Sequence, residues 1–110
     1  MHGRSAIETE RRLAAAGFQM KLADTPEKRA RLQGLAQREL VVHRRGGSAY
    51  VVYADAKYCG CLYAGTALAY QRYRKLLEEP DGGAEPSGAP VESAGPPLDW
   101  VAWGPWGPWW

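Results

Sequence analysis

The chain reads as an α+β domain, and three observations predict it. Residues 40–65, LVVHRRGGSAYVVYADAKYCGCLYAG, set apolar runs on either side of a Gly-Gly pair, the pattern of a hairpin with a third strand behind it. Helix-start signatures stand before and after that stretch, at Ser5, at Asp24-Thr25-Pro26 and at Thr66. Apolar residues make up 45% of the 110, enough for one modest core, yet no run of eighteen is apolar, so nothing in the sequence reads as a membrane span. The expected architecture is a small antiparallel sheet of three strands, with room for a fourth. Two helices precede the sheet, one follows it, and a disordered tail ends the chain.

The hairpin comes first because it sets the register. Gly46 and Gly47 both tolerate positive φ, as a two-residue turn between twisted strands requires. Arg45 then faces Ser48, His43 faces Tyr50, and Val41 faces Val52. The pairs Leu40/Tyr53, Val42/Val51 and Arg44/Ala49 share the other side, because side chains alternate. That second side is the more continuously apolar and is predicted to face the core. The side with His43 and Tyr50 is predicted to be wetter. Asp55-Ala56-Lys57 reads as the next turn, Tyr58–Tyr63 as the third strand, and Gly65 as its end.

Before the hairpin, Ser5 and Glu8 have the spacing of a capping box, and Ile7, Ala14 and Phe18 mark an apolar helix face that stops at Gly17. Phe18–Leu22 alternates apolar and polar and is a candidate edge strand. Asp24 or Thr25 caps a second helix with Pro26 in its first turn, Ala30 and Leu32 pointing inward, and Gly34 at its end. After the sheet, Thr66 caps a third helix with Ala69, Tyr73, Leu76 and Leu77 as its stripe.

The net charge of +2 hides a division. Up to Lys75 there are fourteen bases and six acids, a net of +8; beyond it there are six acids and no base, a net of −6. Arg29, Arg31, Arg44, Arg45, Arg72 and Arg74 are the candidate contacts for an anionic partner such as lipid or polysaccharide. Residues 1–79 form the predicted domain. Residues 80–98 are rich in Gly, Pro, Ala and Glu and read as a flexible linker. Residues 99–110 form a tryptophan-rich tail. Within it Trp100, Trp103, Trp106 and Trp109 recur at every third position, with Trp110 adjacent. Pro105 and Pro108 favour polyproline II, whose three-residue turn aligns the indoles along one edge. Such a ribbon suits a membrane surface, an envelope protein or a glycan. The alternative is collapse of the indoles onto the domain.

Chemistry-bearing motifs are sparse. There is no G-x-S-x-G, no phosphate-binding glycine loop and no H-E-x-x-H, so no catalytic residue and no cofactor is expected. Cys59 and Cys61 bracket Gly60. They read either as small buried residues or as the start of a thiol redox or metal site, for which His2 and His43 are the available histidines and His43 the candidate further ligand. An extended strand holds same-face Cβ atoms too far apart for a disulfide. A single C-x-C also falls short of the four ligands of a structural zinc site. The first residues lack the apolar stretch of a signal peptide, which taken literally means a cytoplasmic protein.

The strings GFQMKLADTPEKRARL, YVVYADAKYCGCLYAG and WVAWGPWGPWW resemble a family of small uncharacterised bacterial envelope proteins, lipoprotein-like, that end in a similar Trp-Gly-Pro tail. The resemblance implies a cell-envelope setting and brings no assigned activity. This chain lacks the leader and lipid-attachment cysteine of that pattern. The leading expectation is a non-enzymatic binding or structural module whose tail makes the contact. The alternatives are thiol redox or metal handling by Cys59 and Cys61, and nucleic-acid binding by the basic domain, which no recognisable motif supports.

Overall fold

The computed structural model describes residues 2–77, 90–95 and 97–106. Within them the chain runs α1 (His2–Ala16), β1 (Gln19–Leu22), α2 (Pro26–Gln33), β2 (Leu40–Arg45), β3 (Ser48–Asp55), β4 (Cys61–Gly65), α3 (Ala67–Leu76), β5 (Val91–Glu92) and α4 (Trp100–Trp103). Gly46 adopts φ +60°, and β2 pairs with β3 in the predicted register, from Leu40 opposite Tyr53 to Arg45 opposite Ser48. The fourth strand, β1, exists and pairs with β4 at one edge of the sheet.

The sheet has five strands in the order β1-β4-β3-β2-β5 and is mixed, because β5 runs parallel to β2. This corrects the expected three or four antiparallel strands. Val91 and Glu92 were expected in the linker. They find backbone partners on the free edge of β2 opposite Val41 and Val42, and the Ser93 N–H donates to the Val42 carbonyl at 3.0 Å. The part of the linker at 80–89, and the tail residues Trp109 and Trp110, lie outside the described residues.

Both faces of the sheet are covered, which corrects the one-sided core. On one face Leu40, Val51, Tyr53, Cys61 and Tyr63 pack with Leu13 and Ala16 of α1, Phe18, and Ala69 and Tyr73 of α3. On the other, Tyr50, Val52, Ala54, Leu62 and Ala64 pack with Leu32 of α2 and with Leu98, Trp100 and Trp103. The side of Tyr50 and His43 is therefore dry, both residues being only 6% exposed. β3 and β4 are apolar at nearly every position rather than at alternate ones, as a central strand covered on both sides requires.

The helix ends explain themselves locally. Thr25 caps α2 by accepting from the Lys28 N–H at 3.1 Å, and Thr66 caps α3 by accepting from the Ala69 N–H at 3.2 Å. Gly17 ends α1 at φ +102°. Two details of the first helix differ from expectation. It begins at His2, so Ser5 lies inside it rather than at its cap. Its buried stripe is Ala6, Thr9, Glu10, Leu13 and Ala16, whereas Ile7 and Ala14 face outward. In α2, Leu32 is buried but Ala30 is exposed.

The tail supplies the second face's cover. Asp99 caps α4 by accepting from the Ala102 N–H at 3.2 Å. In a helical turn residues three apart are neighbours, so the three-residue spacing puts Trp100 and Trp103 on one side, toward the sheet. The Trp100 ring centroid lies 5.3 Å from that of Tyr50, and its Nε1–H donates to the Arg44 carbonyl at 3.3 Å. The Trp106 Nε1–H donates to the Trp100 carbonyl at 2.7 Å, and the Lys21 ammonium sits 4.9 Å from the Trp106 ring centre and bonds the Pro105 carbonyl. Burying one indole contributes roughly 4–6 kcal/mol before the entropy of ordering is subtracted. An open sheet face of Tyr50, Val52 and Leu62 is thus a stronger attractor for the tail than water.

Candidate functional site

The most chemically loaded part of the molecule is the turn between β3 and β4. β3 ends on Asp55, residues 56–59 turn, and Gly60 at φ +63° reverses the chain before Cys61 opens β4. That left-handed glycine brings the Cα atoms of Cys59 and Cys61 to 5.1 Å, and the two cysteines form a disulfide. The objection from extended geometry fails because Cys59 belongs to the turn, not to the strand. The predicted third strand, Tyr58–Tyr63, is correspondingly replaced by Cys61–Gly65. Cys61 is fully buried and Cys59 half-buried, so Cys59 is the more accessible of the two.

Glu10 comes to this disulfide from α1. It is 8% exposed, and a carboxyl oxygen of Glu10 and the two sulfurs all lie within 4.8 Å of one another. The Tyr53 hydroxyl donates to Glu10 Oε2 at 3.4 Å. Asp55 is completely buried beside it. Its Oδ1 accepts from the backbone N–H groups of Lys57 at 3.1 Å and Tyr58 at 2.9 Å, and the Arg38 guanidinium lies 3.5 Å away. Among the described residues Asp55 Oδ2 meets no donor in its ordinary ionisation state. The Glu10 carboxyl bonds Asp55 only when it carries a proton.

The electrostatics lead to the same arrangement. Burial, followed by the hydrogen bond and charge of Asp55, pushes Glu10 up to about 8. For Asp55 burial acts upward too. It is outweighed by the Glu10 proton and the N–H groups of Tyr58, Cys59 and Lys57, which together hold Asp55 below the usual carboxylate range. Burial, with the neighbouring Glu10 and Asp55, raises Tyr53 far above ordinary tyrosine and raises Tyr63 as well. At neutral pH the pair therefore holds one proton on Glu10 and one negative charge on Asp55.

Arg38 is held in place by its own loop. Its N–H donates to the Ala54 carbonyl at 2.7 Å, and its φ of 55° is a left-handed conformation that a non-glycine residue adopts at a cost. Gln37 anchors the loop, donating to the Leu32 and Leu35 carbonyls at 2.7 and 2.9 Å and accepting from the Ala56 N–H at 2.8 Å. At the surface, the Arg38 guanidinium lies 5.6 Å and the Lys57 ammonium 5.2 Å from the Tyr58 ring centre.

The residues singled out in the sequence are distributed unevenly around this centre. His43 shares the sheet face of Tyr50 and Val52, whereas Cys61 belongs to the opposite face, so His43 cannot join the cysteines around a metal. Glu10 is the third donor instead. With the disulfide reduced, two thiolates and one carboxylate make a set one short of a closed four-ligand zinc site. The six arginines do not share one surface. Arg29 and Arg31 lie on α2 and Arg72 and Arg74 on α3, helices that cover opposite faces of the sheet. Among the described residues Arg31 is engaged with Asp99 at 3.6 Å and Arg44 with Glu92 at 2.6 Å. Trp100 and Trp103, expected as contact residues, are 7% and 1% exposed and belong to the core, which corrects the exposed ribbon; Trp106 is half-buried.

Glu10, Arg38 and Tyr53 were not singled out in the sequence. For Glu10 a signal was present: it sits four residues after Ala6 and three before Leu13, a charge in the middle of an apolar stripe. No protein-family model matches the chain, and no match is found among curated proteins or among solved structures.

Proposed function

We propose that the protein is a thiol–disulfide exchange module whose redox couple is Cys59 and Cys61 and whose proton donor is Glu10. The observation that carries this reading is a buried, proton-holding carboxyl within 4.8 Å of both sulfurs of a disulfide. A purely structural bond explains the arrangement less well. The cysteines are two residues apart, and closing so short a loop removes chain entropy worth only on the order of 1.5 kcal/mol. A buried acid pair is a costly neighbour for a bond that stabilises so little.

The exchange follows from the two exposures. The thiolate of a small external thiol attacks Sγ of Cys59, the half-buried cysteine, and forms a mixed disulfide. The electron pair of the broken S–S bond leaves on Cys61 Sγ. A thiolate there is buried among apolar side chains and is disfavoured, so Glu10 passes its proton to that sulfur. The resulting Glu10 carboxylate regains a proton from solvent, equal to the one the external thiol lost on ionising. A second external thiolate then attacks the outer sulfur of the mixed disulfide. Cys59 is released as a thiolate and takes up a proton, and the external disulfide departs. The net change is one protein disulfide reduced to two thiols and two external thiols oxidised to one disulfide. Asp55 stays ionised throughout and acts by holding the Glu10 proton where it is used.

A formed disulfide suits an oxidising compartment, the setting that the envelope resemblance also implies. The contact-ribbon reading of the tail is weaker, since Trp100 and Trp103 are occupied in the core.

The test is equilibration of the oxidised protein in glutathione buffers of graded potential, with alkylation and mass measurement of Cys59 and Cys61. Reversible reduction with retained near-UV circular dichroism is expected, as is an exchange rate at pH 6–7 at least tenfold lower in Glu10→Gln. A disulfide that resists reduction until the protein unfolds, or a rate indifferent to Glu10→Gln, refutes the proposal.

A further inference from the structure

On the sheet face opposite the disulfide lies a cavity of about 510 Å³ that the exchange chemistry does not use. Val41 and His43 of β2 contribute to it, with Leu35 after α2, Leu98 before α4, and Trp103. The size falls in the range of small-molecule sites, and about 150 Å³ suffices for one benzene ring. The lining is mainly apolar, with two polar groups left over. His43 is 6% exposed, and no described residue bonds its ring. The Trp103 Nε1–H is fully buried and has no acceptor among the described residues. Buried polar groups ordinarily find partners, so the unpartnered Trp103 N–H, in a cavity that the unbonded His43 ring also lines, points to an occupant.

We infer that this cavity binds a neutral organic molecule of one or two rings that carries a hydroxyl, with the hydroxyl bonded to the His43 imidazole. The hydroxyl follows from the chemistry of a neutral imidazole, which offers one N–H and one bare nitrogen. A hydroxyl donates and accepts, and so serves either one. Burial lowers the His43 pKa and keeps the ring in that neutral form near pH 7. Neutrality of the ligand follows from the rim. Arg31, the one Lys or Arg among the described lining residues, is paired with Asp99, and Glu92 and Glu39 line the cavity too. Glu39 lines the same cavity as an exposed carboxylate with no cationic partner among the described residues, and it repels anions.

The experiment titrates p-cresol into isotope-labelled oxidised protein and follows the His43 ring and Trp103 indole resonances. Toluene, the same body without the hydroxyl, is the control. Saturable shifts centred on His43, Trp103 and Val41 are expected with p-cresol, at least tenfold tighter than with toluene. His43→Phe keeps an aromatic ring but removes both nitrogens, and should abolish that preference. Ala36→Trp, at an exposed position lining the cavity, should block both compounds without touching the core. Equal affinity for p-cresol and toluene, shifts spread over exposed rings such as Tyr58, or binding unaffected by Ala36→Trp overturns the inference. Should His43→Phe fail to fold, the toluene comparison and Ala36→Trp decide alone.

Discussion

Replacing Glu10 with glutamine removes the one proton that the buried carboxyl pair stores. Glutamine has nearly the same shape and stays neutral, and its amide donates permanently to Asp55. In the wild-type fold Glu10 is raised from 4.5 to about 8. Between those values the folded protein holds a proton that the unfolded chain has released. Stability from this group is therefore complete below the unfolded value and is lost as pH rises through the folded one. The slope is at most about 1.4 kcal/mol per pH unit, so pH 5 to pH 7 costs about 2–3 kcal/mol. That is a large share of the roughly 5–15 kcal/mol of an ordinary small domain. Asp55, held low, is ionised in both states over this window and adds no slope. His43 acts in the opposite sense below its ordinary 6.5, since only the unfolded chain protonates it there. The difference between the two proteins cancels His43 and isolates Glu10. Urea denaturation of both oxidised proteins from pH 5 to pH 8 measures it. The expected result is a wild-type stability that falls relative to Glu10→Gln as pH rises. Two curves that stay parallel across the window would mean that Glu10 is not protonated in the fold, and the proton-donor argument would fail with it.

Three other substitutions or conditions test separate parts of the structure. A Cβ on Gly65 would stand 2.7 Å from the Phe18 ring, so Gly65→Ala should cost about 1–3 kcal/mol by overpacking, with part recovered by adding Phe18→Leu; chemical denaturation reads both. Trp103→Ala should cost about 3–5 kcal/mol, and a loss below 1 kcal/mol in the same assay would mean that the tail does not cover the sheet. Because Lys57 and Arg38 both lie against the Tyr58 ring beside Cys59, the anionic thiol 2-mercaptoethanesulfonate should reduce the disulfide several-fold faster at low salt than 2-mercaptoethanol, a neutral thiol of similar acidity. Stopped-flow rates at rising ionic strength should converge, since exposed charges are screened, and equal rates at low salt would remove the steering argument.

Local chemistry determined a good part of the fold in advance. The Gly46-Gly47 turn set the register of β2 against β3, because a two-residue loop leaves one pairing. Thr25-Pro26 and Thr66 set two helix starts, because a cap needs only the residues within one turn of it. What surrounded those elements was decided over distance. Whether a sheet face is dry depends on what lies across it, and the cover for Tyr50 and Val52 comes from tryptophans about fifty residues later. The three-residue spacing of the indoles fitted a polyproline ribbon and a helical turn alike; the apolar face chose the turn. The cysteines were legible as a pair, but their bond rested on a single positive φ at Gly60 that residue identity permits and does not impose. Glu10 became part of the site for a similar reason. A carboxyl on an apolar helix face is only a misfit until tertiary packing sets it against Asp55 and two sulfurs, where burial gives it a proton to transfer.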